Sequence, residues 1–422
     1  MSSKVAQINH SFIDHIDSLS ETLPLAMTIN QTVNKRTREQ YEEFKKEHIK
    51  FEEIDGEEVM LVKSDQNHRY KRLDRRLKNT SIAQKIVPRS FLVSLVSQYD
   101  AFVGSLVKEL LNFKPEILSD SDRQLTFSQL KSFQNFDDAQ NYIIEKEIDA
   151  LLRKSHSEQI EWISNKFNIK IAPEAELWCS FIELTERRNI FVHADGLVTN
   201  QYLNNCKQHK VSLEKEIEIG TALWVPQDYF EHAFATIYKL GFKLGQVLWR
   251  KIIPDEIEKA DSQLVDFGFD LLELEKYSLA YNICHFGSDL LKNLHSEETR
   301  RVVLINKAIA LKWLQKEEES MNLINSLDWS GWAPEFKLAV ATLNQEFEQV
   351  YELMKEIGPD YKRLGSNEYR DWPLFKEIRK EEKFQEVYTE IFGHELSHFR
   401  QSEKENNTEV TDFTQESKST GS

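Results

Sequence analysis

Between residues 186 and 193 the chain reads Glu-Arg-Arg-Asn-Ile-Phe-Val-His, bringing guanidinium, amide and imidazole groups into two helical turns. At 100° per residue Asn189 and His193 lie i, i+4 on one helix face, with Glu186 a turn earlier on the same stripe. Phe181, Leu184 and Phe191 fall on another face, suited to burial. Arg188 points about 140° away from His193 in an ideal helix. Imidazole titrates near neutral pH and works as acid or base. Guanidinium stays charged and offers a fixed fork of donors that matches phosphate oxygens. These groups suit metal-free cleavage of an RNA phosphodiester. A base takes the 2′-OH proton, an acid protonates the leaving 5′-oxygen, and a cation stabilises the crowded phosphorane. One helix cannot easily focus Arg188 and His193 on one phosphate, whereas two copies crossing in a dimer would. The competing structural reading pairs Arg188 with Glu186 or Asp195 and leaves His193 to cap the helix C-terminus.

The elements that must position these residues are mostly helical. The chain has 422 residues, 40% of them apolar, with 25 Phe but only 13 Gly and 9 Pro. Leu-, Glu- and Lys-rich stretches argue for helices, and the length for two or three domains. Residues 1–80 are expected to form an N-terminal helical segment that bends at Pro24. It also holds a charged helix from Thr37 and a small β-hairpin of residues 49–54 and 59–62 around Asp55-Gly56. From Ser81 a core-facing stripe runs through Phe91, Leu92, Leu95, Val96, Tyr99, Phe102, Val103, Leu106 and Leu110, with Pro88 in its first turn. Asp100 interrupts that stripe. A motif helix from Pro173 to His193 ends at Asp195-Gly196. A short strand is expected in residues 216–225, and a long helix follows Pro226, so that 81–255 makes a helical bundle. Residues 256–395 read as helix pairs, with Ala308, Ala310 and Leu311 opening one unit, and the tail from 396 reads as disordered.

Arg188-Asn189 followed by His193, behind a long acid-bearing helix, resembles the signature of the HEPN ribonuclease superfamily, an Arg, four to six residues, then His, often with Asn after the Arg. Arg187 satisfies the looser spacing, and Arg188 is preferred because Asn follows it. The resemblance implies a HEPN-type bundle and a homodimer whose paired Arg188, Asn189 and His193 form a composite site leaving a 2′,3′-cyclic phosphate. It also implies that Asp100 faces the Arg/His pair. Toxic members act in bacterial antiviral defence, which would make this chain a toxin-like effector. The helix pairs resemble degenerate tetratricopeptide-type repeats, an α-solenoid-like domain that would take a protein trigger or regulator. The alternative reading is a dimeric HEPN-like scaffold without cleavage that presents the repeats to a partner.

The formal net charge of −16 weighs against nucleic-acid binding on average. The charge is unevenly placed, however. Arg69, Lys71, Arg72, Arg75 and Arg76, with Lys63 and Lys78, face only Asp65 and Asp74, a strip suited to tracking a phosphate backbone. The alternative is a solvated helix face. A competing motif, His394-Glu395-Leu396-Ser397-His398, has the HExxH form of zinc hydrolases. It lies beyond the last helix with no folded chain left for a third ligand, so no metal or other cofactor is expected. Cys179, Cys206 and Cys284 have no metal or disulfide spacing, and no basic leader or apolar run near 18 residues is present. The expectation is a cytoplasmic protein without membrane contact.

Overall fold

The structure, a computed structural model, describes residues 3–54, 57–120, 125–171, 174–213 and 216–396. The described residues form sixteen α-helices and one two-stranded antiparallel sheet, so the chain is mainly α with a small hairpin. It divides into two compact units, Met1–Leu264 with Leu291–Ser296, and Val265–Leu290 with the chain from Glu297 onward.

The first unit is built on two long helices, α1 (Lys4–His48) and α2 (Asn67–Phe113), joined by strands β1 (Ile49–Ile54) and β2 (Glu57–Val62). At 1.5 Å per residue each helix is about 70 Å long. They run antiparallel: Phe12 stacks on Phe102 at 4.3 Å, His15 bonds Gln98 at 3.0 Å, and Asn34 donates to Thr80 at 3.0 Å. Here the structure departs from the sequence expectation. Pro24 lies inside α1 without ending it, and Pro88 lies inside α2 rather than in its first turn. A proline removes one backbone donor, and packing along the rest of each helix outweighs that loss. The first unit takes in α1, and α2 continues unbroken past residue 80. The distal end of the hairpin has its own small core of Phe44, Ile49 and Leu73, with Tyr41, Val62 and Tyr70 around it. The Asp55-Gly56 turn lies outside the described residues, as do Pro173 and the tail from 397.

The other helices of this unit are α3 (Phe127–Ser132), α4 (Phe136–Leu152), α5 (His156–Lys166), α6 (Ala175–His193), α7 (Asn200–Gln208) and α8 (Gln227–Ile252). The stripe read from Leu92 to Leu110 is buried, as are Phe230, Phe234, Ile237, Leu244 and Leu248 of α8. Burial of these faces, at about 25 cal/mol per Å² of apolar surface, drives the assembly. An 18-residue window within 64–113 reaches a mean hydropathy of 1.3, and half of it is buried inside the protein, as in a core helix. No described strand covers 216–225. A single bridge between Leu197 and Ala222 stands there instead. Helix α9 (Ile257–Glu273) follows, and Asp261 ties back to Arg250 at 2.6 Å and to the backbone N–H of His295, which places 291–296 with this unit.

The second unit continues with α10 (Tyr277–His285), a π-helical turn (Phe286–Leu290), α11 (Glu297–Trp313), α12 (Glu317–Asn325), α13 (Pro334–Leu343), α14 (Phe347–Ile357), α15 (Ser366–Asp371) and α16 (Glu382–Phe392). Successive helices pack on each other, α10 on α11, α11 on α12 and α13 on α14. Three of the described links are the same turn. Glu275, Gln315 and Gln345 take left-handed φ of 56°, 62° and 61°. In each case the next N–H (Lys276, Lys316, Glu346) bonds the carbonyl five residues back, of Leu271, Leu311 and Ala341. This is how orphan carbonyls at helix ends are satisfied before an immediate reversal.

Packing of α1 on α8 needs glycine at 241, because a Cβ there would lie 2.4 Å from the buried Phe12 ring. Gly241→Ala should therefore destabilise the first unit by about 1–3 kcal/mol, the usual cost of overpacking. Urea unfolding followed by tryptophan fluorescence checks this, and an unchanged midpoint would contradict the α1–α8 contact.

Candidate active site

Helix α6 buries Leu177, Phe181, Leu184 and Ile190, which turns residues 187–189 toward neighbouring helices and partial exposure. The helix stops where Asp195 and Gly196 take left-handed φ of 49° and 81°, with the N–H groups of Ala194 and Gly196 both bonding the Ile190 carbonyl. Gly196 is required twice over: its conformation suits glycine, and a Cβ would meet the Arg89 guanidinium at 2.9 Å. Arg89 of α2 bonds the Asp195 carbonyl at 3.1 Å and its carboxylate at 3.3 Å, and packs over Phe191 and Trp224. Asp195 is thereby engaged by Arg89 and not by Arg188.

Arg188 meets the acid of the long core helix. Its Nη2 donates to Asp100 Oδ2 at 2.9 Å, and its Nη1 donates to Asn189 Oδ1 at 3.1 Å. The other Asp100 oxygen, Oδ1, lies 3.0 Å from His156 Nε2. Arg188 and Asp100 are each 22% exposed and His156 10%, so the cluster sits at the surface edge of the core. Helices α2, α5 and α6 thus meet on one carboxylate. His156 stands edge-on to Phe181 at 5.5 Å. Its placement rests on a legible device: Ser155 and Glu158 form a reciprocal capping box, and His156 is the first residue inside it. Neither His156 nor its pairing is legible in the sequence, since nothing local distinguishes a capping-box His from one aimed at an acid 56 residues earlier. His193 is exposed at the last turn of α6, and its side chain makes no hydrogen bond or ion pair with a described residue.

Arg187 belongs to a second cluster. Its Nε donates to Glu183 Oε1 at 2.7 Å, its Nη1 to the Trp224 carbonyl at 3.0 Å, and it lies 3.9 Å over the Tyr229 ring. Tyr202 and Tyr229 donate to the two oxygens of Glu183 at 2.7 and 2.6 Å. Burial, then the Glu183 charge, pushes both phenols up, so they remain protonated donors. Burial alone would lower Arg187, but Tyr229, Glu183 and Tyr202 outweigh it and raise the guanidinium. Arg187 is therefore committed to holding α6 against α7 and α8. Glu186 is half-buried. Burial first, then the charge of Glu183 and after it that of Glu186, pushes the Cys206 thiol up to about 12.

The strip residues Arg69, Lys71, Arg72, Arg75, Arg76 and Lys78 lie on the distal part of α2, all exposed. His394 Nδ1 contacts the Glu395 backbone carbonyl, and Ser397 and His398 of the HExxH pattern lie outside the described residues.

The Asp100 carboxylate couples Arg188 to the long helix in a half-buried setting. A double-mutant cycle of Asp100→Ala and Arg188→Ala should give a coupling of about 0.5–3 kcal/mol, the range for residues in direct contact. Additive losses in chemical denaturation would show that the pair contributes no stability. In comparison with known proteins, no family model, curated protein or solved structure matches this chain.

Proposed function

We propose that the first unit is a HEPN-type bundle acting as a metal-independent endoribonuclease, with a composite site formed by two copies of the chain. The observation that carries this reading is the Asp100–Arg188 ion pair. An acid on the core helix fixes the guanidinium that neighbours Asn189, while His193 on the same helix stays open to solvent. Arg188 supplies the cation for a crowded phosphorane and Asn189 a hydrogen-bonding group beside it. His193 of one copy removes the 2′-OH proton, O2′ bonds to phosphorus, and the P–O5′ bond breaks. His193 of the second copy protonates the departing O5′. The products are a 2′,3′-cyclic phosphate and a 5′-hydroxyl. Arg187, tied to Glu183 and Tyr229, takes no part.

In the same reading the chain is a cytoplasmic toxin-like effector in bacterial antiviral defence. Its second unit is a tetratricopeptide-like repeat array that receives a protein trigger, supported by the turn that recurs at Glu275, Gln315 and Gln345. A second reading, a non-catalytic dimeric scaffold, draws on the same ion pair, since Asp100 and Asn189 already occupy two guanidinium nitrogens of Arg188.

The full chain incubated with total RNA in EDTA separates the two readings. Cleavage should persist and fall by about 10²–10⁴-fold in both Arg188→Ala and His193→Ala. Intact RNA under every activating condition sinks the nuclease and leaves the scaffold. Activity lost in EDTA and restored by zinc would transfer the chemistry to His394 and Glu395.

A further inference from the structure

Six cations crowd ten residues of α2: Arg69, Lys71, Arg72, Arg75, Arg76 and Lys78. At 100° per residue Lys71, Arg72 and Arg75 lie opposite Tyr70 and Leu73, which pack in the small distal core; Arg76 and Lys78 flank them, and Arg69 reaches over the Phe44 ring of that core at 5.4 Å. All six are exposed, and none makes an ion pair with a described residue. Paired lysines and arginines are common in the rest of the molecule, as at Arg250–Asp261, Lys307–Asp289 and Lys312–Glu377. A dense, rigid, unneutralised row on a chain of net charge −16 keeps its own counterions, which a polyanion would release on binding.

The row also stands in register with the site. It lies on the same continuous helix as Asp100, its centre about 27 residues away, or about 40 Å. In an ideal helix Asp100 falls within about 50° of the row's mean direction, so both occupy one side of α2. Helix α6 runs back along that side. Arg188 meets α2 at Asp100, and Asp195, two residues past His193, meets it at Arg89. The His193 end of α6 therefore points toward the row.

We propose that the outward face of α2 between Arg69 and Lys78 is a backbone-binding exosite for structured RNA, and that α2 acts as a ruler between it and the site. The inference rests on the nuclease reading for the location of the site. Tyr70, the aromatic residue within the span, turns toward the distal core, and the exposed ring beside the row is His68 alone, so the row is dominated by cations that meet phosphates on a stiff, regular scaffold. Stems that span about 40 Å reach both places. A short oligonucleotide reaches only one.

The test uses the full chain with Arg72→Gln, Arg75→Gln and Arg76→Gln combined, three exposed positions, in a His193→Ala background that leaves RNA uncut. Anisotropy with a labelled stem-loop longer than 40 Å should show affinity weakened at least tenfold. The slope of log affinity against log salt should fall by about one per phosphate contact removed. In a His193 background, cleavage of a four-nucleotide substrate should change less than twofold. Equal binding of the stem-loop by both proteins overturns the exosite. So does a shift in oligomeric state with RNA binding unchanged, which would assign the row to the acidic ribbon (Glu52, Glu53, Glu57, Glu58) of a second copy. Row-dependent binding without cleavage of any RNA would uphold the exosite and sink the nuclease instead.

Discussion

One carboxylate holds the candidate site together. Asp100 sits midway through a stripe of Leu, Val, Tyr and Phe, where an unpaired charge would be costly to desolvate. Its two oxygens are taken by Arg188 and His156, so the helix that carries the core also anchors α5 and α6. Neighbouring Tyr99 is buried, and burial followed by the Asp100 charge pushes its phenol up, leaving it a neutral packing group against Phe181. The polar interactions at this edge are thus mutually dependent. Asp100 orders two cationic or titratable partners, and the apolar residues around it limit how water can compete.

A second constraint is the continuity of α2. The same helix is amphipathic in two senses along its length: its inward stripe from Leu92 to Leu110 is apolar and buried, and its outward face from Arg69 to Lys78 is cationic and exposed. A helix that packs over its proximal half can carry the distal half outward without further support beyond α1 and the ribbon, because each added residue extends an existing hydrogen-bonded ladder. Position along such a helix converts directly into distance, which is how a sequence separation between the row and Asp100 becomes a length scale.

The adjacent arginines of α6 show how neighbouring residues of one type divide roles. Arg188 turns to the site edge, while Arg187, one residue earlier and 100° around the helix, enters a nest of Glu183, Tyr202 and Tyr229. The asparagine that follows Arg188 singles it out in the sequence, and the helix geometry separates the two arginines independently of that pattern.

Much of the architecture was legible before any coordinates. The 3.6-residue stripes located α2, α6 and α8, the low Gly and Pro content indicated helices, and Asp195-Gly196 marked the end of α6. The prolines misled, because Pro24 and Pro88 carry local signals that long-range packing overrides. Residues 216–225 form no strand but a short antiparallel contact, in which Gly220, Thr221 and Leu223 share backbone hydrogen bonds with Gly196 and Val198 around the Leu197–Ala222 bridge. The sequence by itself determined which residues sit on which helix face, a matter of local periodicity. Only the tertiary structure decided that the imidazole beside Arg188 on the Asp100 carboxylate is His156 and not His193, because a contact between residues 56 positions apart depends on how helices pack, and no local pattern encodes that packing.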